Sequence, residues 1–504
     1  MPASTTNATD ITLTLGGGSI RSGLYVEAVV GEEALSQPYA YRINFRSDDP
    51  IKPSDVIGKG VSVTVKSEAG DLPVHGVALE FGAEDPLPNQ GYLYVVLVVP
   101  QLKLLDLTRQ NQVYGSEQKI SVRDLIDQEM KASLAAHHGH SSITHELNLN
   151  GTYREREFIV QYEETDLTFL SRWCEGNGIF YFFKQADDHE TVVFGDANTA
   201  FVRADTLPYR RGQYTLVTAE AAVTSFGFGA KAIPETVILR DYNPVKPALP
   251  LFSKTSVSGG SLGTVVQYGQ NYLEPDEGDR LAKIRAEEIA CRATVFQGES
   301  NAPQLRPGYF FTLKNHPSLD DQYLVTRVTH EVVAPAPAGY GSSSVGAAKP
   351  YGNVFEAIPL SVAFRPERKA PRPVIPGLFT AFIDGEDDGT RAEIDGQGRY
   401  KVRIRFDEGT HAPAKASDFF RKAEPYAGPA DTGMHFPLLK GTEVLLCCVN
   451  GDIDRPIILG AVANPLTPNV ATERNHTFNR FRSPAGTMLE MNDGVANRTA
   501  RKHA

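Results

Sequence analysis

The segment that most closely matches a catalytic motif is Gly259–Gly263, which reads Gly-Gly-Ser-Leu-Gly and fits the GxSxG pattern of serine hydrolases. In those enzymes a strand precedes the serine and a helix follows it, so that the sharp turn presents a strained nucleophile. Here residues 254–259 are rich in Ser and Gly, which predicts a loop, and no helical pattern follows. We therefore expect Ser261 to lie in a loop and not to act as a nucleophile.

An acidic run from Asp384 to Asp388, followed by Asp395, loosely resembles a calcium-binding loop, in which oxygen ligands alternate along the chain. The segments on either side are β-rich, and an aspartate stands where a bidentate glutamate is expected. A solvated hairpin loop without metal is therefore the better interpretation.

Histidines cluster near residue 140 and could offer imidazole ligands to zinc or nickel. They are His137, His138, His140 and His145. Their spacing belongs to no standard zinc pattern, and no cysteine lies nearby in the sequence. A polar loop is the favoured prediction here as well.

Two pairs of adjacent carboxylates, Glu163–Glu164 and Asp187–Asp188, do not form acid/base couples, since neighbouring side chains diverge in a strand or a helix. The sequence also contains no Walker loop, HExxH motif or kinase-type set. We predict that the chain is not an enzyme, with no catalytic residues, no cofactor and no metal.

Composition points away from nucleic acid as a partner. The chain has 504 residues, with 50 Lys and Arg against 61 Asp and Glu, and a formal net charge of −11. A general nucleic-acid or anionic-membrane binder uses a broad basic surface to displace counterions. The length predicts about three domains, and an apolar content of 41% is ample for their cores.

Targeting and redox signals favour a soluble cytoplasmic chain before any export. The first ten residues lack a positive and an apolar region, and the longest strongly apolar run, Tyr92–Val99, is far too short to span a bilayer. The cysteines fit neither a disulfide framework nor a CxxC metal site, and we predict buried, reduced thiols. They are Cys174, Cys291, Cys447 and Cys448.

Alternating and β-branched segments dominate the chain and predict a mainly β fold with a few helices. The clearest strand predictions are Val61–Val65, Tyr92–Val99, Ile179–Phe183, Tyr309–Leu313, Tyr400–Phe406 and Glu443–Val449. Three segments show helical spacing: a stripe from Val122 to Leu134 capped by Ser121, a helix that starts near Thr165 or Asp166 and stops at Gly176 and Gly178, and Asp276–Ala293.

Two stretches rich in proline or small residues predict breaks in the structure. Residues 333–350 should form a mobile loop, and residues 365–377 contain four prolines that favour extended backbone. We place the main domain junction in the second stretch. After it, about 90 residues to Pro465 predict five short strands, enough for a small OB-type barrel.

Several motifs closely resemble the VgrG family, the spikes of bacterial type VI secretion systems. They occur in the family's order and together cover roughly residues 153–464. The matching segments are Arg156–Arg172, Gly178–Phe182, Leu239–Asn243, Pro307–Gly308, Asn315–Pro317, Phe364–Pro366, Asp395–Val402, Pro425–Gly428 and Gly451–Gly460. The chain departs from the family where Pro-Trp is common, since it has Pro425-Tyr426 there.

The resemblance implies a phage-hub-like β-rich domain with β-barrels at residues 1–365 and a proline-rich linker at 366–377. It further implies an OB-fold barrel at 378–465, and at 466–504 a linker with the start of a triple-stranded β-helix stem. Whether that stem is naturally short or has been lost is left open by the sequence.

The resemblance also implies a function, namely a homotrimeric membrane-puncturing spike and effector carrier at the tip of the secretion tube. The implied partners are an Hcp-like hexameric tube-ring protein, a PAAR-repeat tip protein, baseplate proteins and secreted effectors. Such a protein is cytoplasmic before firing and is secreted or delivered into a target cell on sheath contraction.

The tail supports assembly on physical grounds. Its short strands carry apolar residues that a lone ribbon cannot bury, whereas two further copies would cover them and leave no free sheet edge. These residues are Phe478, Phe481, Met488, Leu489 and Met491. The alternative is a frayed terminus.

Three alternative functions remain open at this point. One is the spike of an extracellular phage-like contractile injection particle. A second, an enzyme-bearing phage spike, is disfavoured because the short segment between Pro465 and Asn475 leaves no room for a catalytic domain there. A third is an OB protein that binds carbohydrate or oligonucleotide through exposed aromatic and basic side chains. Its candidate residues are Tyr400, Lys401, Arg403, Arg405 and Phe406.

Overall fold

A computed structural model describes residues 10–21, 23–84, 91–137, 143–186, 188–211, 220–335, 349–386, 389–494 and 499–503. The density of internal contacts divides the chain into two compact units. The N-terminal unit comprises residues 1–109, 121–155 and 164–372, and the C-terminal unit comprises residues 110–120, 156–163 and 373–504. The predicted domain boundaries at 365 and 377 stay predictions, but two short segments from the first part of the chain group with the C-terminal unit.

The described chain is mainly β, which confirms the predicted fold class. In chain order its strands are β1 Asp10–Thr14, β2 Leu24–Ala34, β3 Gln37–Ser47, β4 Gly60–Ser67, β5 Gly70–Ala83, β6 Tyr92–Val99, β7 Arg109–Tyr114, β8 His145–Asn148, β9 Ile159–Thr165, β10 Phe180–Gln185, β11 Glu190–Gly195, β12 Val202–Pro208, β13 Val223–Ala230, β14 Thr236–Asp241, β15 Leu251–Ser256, β16 Thr264–Tyr268, β17 Thr294–Ser300, β18 Tyr309–Lys314, β19 Gln322–Val333, β20 Lys349–Pro359, β21 Leu378–Ile383, β22 Val402–Ile404, β23 Tyr426–Ala427, β24 Gly433–Met434, β25 Glu443–Cys448, β26 Pro456–Ala461, β27 Phe478–Arg482, β28 Met488–Asn492 and β29 Thr499–His503. The helices are α1 Val122–His137, α2 Asp166–Asn177 and α3 Pro275–Ala290.

A twelve-stranded sheet forms the framework of the N-terminal unit. Its main path runs β1-β4-β5-β6-β3-β2-β19-β20-β17-β13, and β18 joins β12 to β19. Period-2 alternation explains β4, in which Val61, Val63 and Val65 are buried while Ser62 and Thr64 between them are half-buried. The strands predicted at 61–65 and 92–99 are therefore confirmed.

Helix α2 follows the predicted start and stop signals. The Thr165 hydroxyl accepts a hydrogen bond from the Thr168 amide at 3.2 Å, as an N-cap does, and the helix ends at Gly178 with φ of 73°. It runs through Gly176 and stops only at the second of the two predicted glycines.

Helices α1 and α3 also form where they were predicted. Ser121 caps α1, whose Val122, Leu125 and Ile126 are buried. Helix α3 ends at Ala290 instead of Ala293, and its small residues Ala282 and Ala286 are buried where it packs on β14 and β15.

The C-terminal unit is built around an OB-type barrel. Strands β22-β21-β25-β26 form its four-stranded sheet, and β23 and β24 form a separate hairpin. The described part of residues 378–465 therefore contains six short strands instead of five. The predicted strand 400–406 is reduced to β22, Val402–Ile404. Tyr400 lies outside this strand, and its backbone exchanges two hydrogen bonds with the backbone of Phe420. Val113, Phe158 and Val160, from the two early segments, are buried in the barrel core.

The proline-rich stretch after residue 365 is attached to the N-terminal unit over its first part. Arg365 donates hydrogen bonds to the carbonyl oxygens of Gly178 and Asp196 at 3.0 and 2.6 Å. The Glu175 carboxylate accepts from the backbone amides of Lys369 and Ala370 at 2.8 and 2.9 Å. Most of the predicted mobile loop at 333–350 lies outside the described residues.

Two further expectations concern export and thiols. Within the described part of the chain, none of the helices is long and apolar enough to cross a membrane. The four cysteines are unpaired, and Cys174 and Cys291 are buried as predicted. The prediction was wrong for Cys447 and Cys448, which are only half-buried. Cys447 lies on the outer face of β25, and Cys448, at the end of that strand, packs against the edge of the barrel core.

Candidate assembly interface

Ser261 lies in an exposed loop between β15 and β16, which confirms the loop prediction. One premise was wrong, however, since residues 254–256 belong to strand β15, which directly precedes the loop. A strand, β16, follows instead of a helix. The Ser261 amide donates to the Ile233 carbonyl at 3.3 Å, and no hydrogen bond links its hydroxyl to a histidine in the described chain.

The predicted metal-ligand candidates are engaged in other contacts where they are described. His145 bridges the Asp127 carboxylate at 3.1 Å and the Ile143 carbonyl at 3.0 Å. His138 and His140 lie outside the described residues, as do Asp387 and Asp388. Among the residues that are described, no group of three or more His, Cys, Asp or Glu side chains could hold a metal ion.

Two acidic residues of the calcium-loop candidate, Asp384 and Asp395, are also bonded to protein groups. Asp384 is buried and lies 3.4 Å from the Arg403 guanidinium. Asp395 accepts from the Arg399 guanidinium at 2.6 Å and from two backbone amides. Burial alone would raise the pKa of Asp395, but these hydrogen bonds outweigh it and lower that pKa.

The OB ligand-binding alternative required exposed aromatic residues on a basic barrel face, and the structure contradicts it. Tyr400 is fully buried, and Lys401 is buried with its ammonium donating to the Ala414 carbonyl at 2.8 Å. The Phe406 ring packs on Tyr162, with 4.8 Å between ring centroids. Tyr400, Lys401 and Phe406 are thus engaged within the unit and do not form an exposed stacking surface. Of the remaining candidates, Arg405 is exposed and its guanidinium lies 5.1 Å from the centroid of the Phe382 ring.

The exposed apolar surface lies instead on the tail. Strands β27, β28 and β29 form an antiparallel meander in which Phe481 pairs with Leu489, and Asn479 pairs with Met491. Because side chains alternate, Phe481, Leu489 and Met491 share one face, where they are 46%, 43% and 40% exposed.

The other face of the tail is closed by its own polar contacts. Arg480 forms an ion pair with Glu490 at 2.6 Å, and its guanidinium lies 4.9 Å from the centroid of the Phe478 ring. Among the described residues of the tail, the face that contains Phe481 is therefore the apolar surface that remains exposed.

The tail surface continues onto the barrel. The Phe436 ring stacks on Phe481 with centroids 5.7 Å apart and an interplanar angle of 10°, although both rings remain about half exposed. Met434, two residues earlier, pairs across the hairpin with Tyr426, and both are exposed. We call this surface the apolar strip, and it comprises Tyr426, Met434, Phe436, Phe481, Leu489 and Met491.

A cluster of charges lies beside the strip. The Glu424 carboxylate contacts the Lys422 ammonium and the His435 imidazole, each at 2.7 Å. Burial alone would raise the pKa of Glu424, but the hydrogen bonds from Lys422 and His435 lower it overall. This cluster anchors the chain between β24 and the barrel and so positions Phe436.

Sequence reasoning found the tail half of the strip and missed the barrel half. In the sequence, Tyr426 stands out only as a departure from the Pro-Trp motif, and none of the matching motifs includes Met434 or Phe436. The available signal was the apolar alternation of Met434 and Phe436 directly after a turn-rich segment.

Comparison with known proteins identifies the family. The profile of the phage tail baseplate hub family matches residues 32–336, and that of the type VI secretion system/phage-baseplate injector OB domain matches residues 391–462. The chain belongs to the phage tail baseplate hub family, in its VgrG branch.

Curated relatives are consistent with this assignment. Type VI secretion system spike protein VgrG5 of Pseudomonas aeruginosa is 29% identical over 460 residues, which cover 88% of this chain and 56% of that protein. The actin cross-linking toxin VgrG1 of Vibrio cholerae is 26% identical over 77% of this chain and 34% of its own length. The chain thus spans little more than half the length of the first relative and about a third of the second.

Solved structures share the fold. The Escherichia coli c3393 protein, a type VI secretion component similar to the phage T4 tail proteins gp27 and gp5, matches 89% of this chain and 99% of its own length. Its TM-score is 0.64 and its sequence identity 24%. A Francisella PdpA–VgrG complex matches 99% of this chain and 88% of that chain, with a TM-score of 0.59 and 9% identity.

Proposed function

We propose that this chain is one subunit of a homotrimeric spike at the tip of a type VI secretion tube, where it punctures a target membrane and carries effectors. The observation that carries the proposal is the apolar strip, which joins the tail to the barrel and stays largely exposed among the described residues. A patch of this kind on a soluble chain marks an interaction surface.

Threefold assembly accounts for the strip physically. The three-stranded tail meander leaves one apolar face exposed to water, and covering that face would be favourable. Two further copies, arranged about one axis, would cover Phe481, Leu489 and Met491 and pair the free tail edges. Membership of the VgrG branch supports this arrangement, because its relatives are spike proteins.

The proposed role is mechanical, and we propose that the chain performs no catalysis. The connection between β26 and β27, residues 462–477, leaves no room for a catalytic domain between barrel and tail. The tube-ring protein, the PAAR-repeat tip protein, baseplate proteins and effectors are the partners that this role requires. Delivery on sheath contraction from the cytoplasm is part of the same proposal.

The assembly is tested by sedimentation of the purified chain. We expect a species near three times 55.0 kDa. The double variant Phe481→Glu and Leu489→Glu places charges in the strip and should shift the species toward the monomer, because burial of unpaired charge is costly. Leu466→Glu is the control, since Leu466 is 90% exposed in the same tail and outside the strip.

Three outcomes would each contradict part of the proposal. A wild-type chain that is monomeric at micromolar concentration would remove the homotrimer. A trimer that persists in the double variant would mean that other surfaces hold the subunits together. Hydrolysis of peptidoglycan or an ester that is lost in Ser261→Ala would refute the absence of catalysis.

A further inference from the structure

A second exposed surface lies in the N-terminal unit, on a three-stranded sheet of order β15-β14-β16. One face of this sheet is buried against α3 through Val237, Leu239 and Leu251. The helix therefore holds the sheet firmly from one side. The opposite face has no covering element among the described residues.

Strand register places the outer side chains in rows. Arg240 stands opposite Phe252 on one neighbouring strand and Tyr268 on the other. In the next row, Ile238 stands between Lys254 and Val266. We call this surface the outer face, and it comprises Ile238, Arg240, Phe252, Lys254, Val266 and Tyr268.

The outer face is unusually apolar for an exposed sheet. Phe252, Val266 and Tyr268 are 49%, 60% and 58% exposed. Val266 and Tyr268 are neighbours on β16, and Phe252 lies on the other edge strand, β15, with β14 between them. Single exposed apolar residues are normal on protein surfaces, whereas a contiguous set on a rigid sheet indicates a docking surface.

The charges of the outer face are both positive. The Arg240 guanidinium lies over the Phe252 ring, 5.3 Å from its centroid, and Lys254 is exposed in the next row. Within the described chain, neither cation has an ion-pair partner, whereas Lys246 nearby is paired with Glu274. The Asp241 carboxylate, next to Arg240, accepts instead from the backbone amide of Asn271 at 2.6 Å.

The two cations are spaced for an extended ligand. Lys254 is the diagonal neighbour of Arg240, and such pairs in an antiparallel ladder lie about 7–8 Å apart. Residues i and i+2 of an extended strand are about 6.8 Å apart and point the same way. Two carboxylates at alternate positions of one strand could therefore meet Arg240 and Lys254 together.

We propose that the outer face binds an extended acidic segment of a partner protein, in which two alternate carboxylates pair with Arg240 and Lys254. Apolar side chains on either side of the carboxylates cover Phe252, Val266 and Tyr268. Charge complementarity favours an acidic ligand, because both charged side chains on the outer face are positive. The whole chain, by contrast, has a formal net charge of −11. This docking function is independent of the proposed trimeric spike.

The test uses the full chain and a labelled peptide, Ser-Phe-Ser-Glu-Ser-Glu-Ser-Val-Ser, followed by fluorescence anisotropy. We expect saturable binding that weakens with added salt. The double variant Arg240→Glu and Lys254→Glu should weaken binding by about tenfold or more, and should bind better a peptide with Lys in place of both Glu. A peptide with the two Glu residues adjacent should bind less tightly than the first.

The matched control is the double variant Arg42→Glu and Lys66→Glu, which makes the same charge change at exposed positions of the large sheet. It should leave peptide affinity unchanged. A second variant, Val266→Ser, removes apolar contact without a charge change and should also weaken binding.

Absence of saturable binding, equal affinity for the Lys peptide, or equal loss in the control would overturn the proposal. Another result would also show that the proposal is wrong. If the wild-type chain binds no peptide and the double variant Arg240→Glu and Lys254→Glu dissociates the oligomer seen in sedimentation, the outer face is an interface between copies of this chain. Phe481→Glu with Leu489→Glu tests the spike separately, so the two failures can be told apart.

Discussion

The rings of Phe436 and Phe481 lie almost parallel, with centroids 5.7 Å apart, although 45 positions separate them in the chain. This stack is a ring contact between the barrel and the first strand of the tail. An aromatic pair of this kind contributes about 0.5–1.5 kcal/mol beyond its buried area. It holds the tail strands against the barrel and aligns the two halves of the apolar strip.

Phe436→Ala should therefore loosen the tail. We expect amide hydrogen exchange in β27 and β28 to become roughly two- to twelvefold faster, which corresponds to the loss of the stacking energy. Leu466→Ala removes an exposed apolar side chain from the same tail and should leave exchange unchanged. Equal exchange in wild type and Phe436→Ala would show that the stack does not hold the tail.

The end of α2 offers a matched pair of glycines. Gly178 has a left-handed φ of 73°, and a Cβ there would lie 2.7 Å from Ile284 Cγ2, whereas Gly176 is helical and has nothing within 4 Å. Gly178→Ala should destabilise by at least about 1–2 kcal/mol. Gly176→Ala should stabilise by about 0.5–1 kcal/mol. Urea unfolding followed by the fluorescence of Trp173, the single tryptophan, measures both changes.

Changes in the free energy of unfolding that have the same sign for Gly178→Ala and Gly176→Ala would contradict this explanation from backbone conformation. The free energy of unfolding must fall for Gly178→Ala and rise for Gly176→Ala, since the two substitutions remove the same flexibility from the unfolded chain and differ only in the folded conformation.

His330 should make the N-terminal unit sensitive to acid. It is buried, and its Nδ1 shares a hydrogen bond with the Tyr351 hydroxyl at 2.7 Å. Its Nε2 lies 3.7 Å from a carboxylate oxygen of Glu33. Burial, assisted by the charge of Arg306 and opposed by that of Glu33, lowers the pKa of His330 to about 4. The unfolded chain binds the proton near pH 6.5 and the folded chain does not. The contribution of neutral His330 to the free energy of unfolding is therefore fully present above pH 6.5, and it declines as the pH falls toward 4.

The full decline due to His330 is about 3 kcal/mol. His330→Gln keeps a hydrogen-bonding group but does not titrate. Its free energy of unfolding, measured by Trp173 fluorescence at pH 7, 6, 5 and 4, should fall less than that of wild type. Parallel pH profiles for the two proteins would mean that His330 does not set this dependence.

Arg306 and Glu33 form a buried ion pair in the same region. The Arg306 Nε donates to Glu33 at 3.2 Å, and Arg306 also donates to the Pro73 carbonyl at 2.9 Å. Burial alone would raise the pKa of Glu33, but the charges of Arg306 and His330 together with the hydrogen bonds from Arg306 and Tyr41 outweigh it and lower that pKa. Arg306→Met leaves this carboxylate unpaired and should cost about 3–5 kcal/mol.

The double variant Arg306→Met and Glu33→Gln should recover a substantial part of that cost, because it removes the uncompensated charge. Unfolding in urea, followed by Trp173 fluorescence at pH 7, gives the double-mutant cycle. Strictly additive losses would show that the two side chains do not interact energetically.

Local sequence signals were enough for the fold class, for the three helices and many of the strands, and for the family. The alternation from Val61 to Val65, the cap at Thr165 and the stop at Gly178 each act within one strand or one turn, so they can be read without the rest of the chain. The motifs that resemble VgrG proteins are of this local kind, and family membership followed from them.

Tertiary structure alone decided which residues share a surface. Val113 and Phe158 enter the barrel core from segments more than 200 residues before it, and Phe436 meets Phe481 through packing between distant positions. Periodicity describes only neighbours a few residues apart, whereas these contacts depend on strand register and on the path of the chain between elements. The sequence therefore determined the kinds of elements and the family, and the fold determined where apolar and charged side chains gather into surfaces that another molecule can bind.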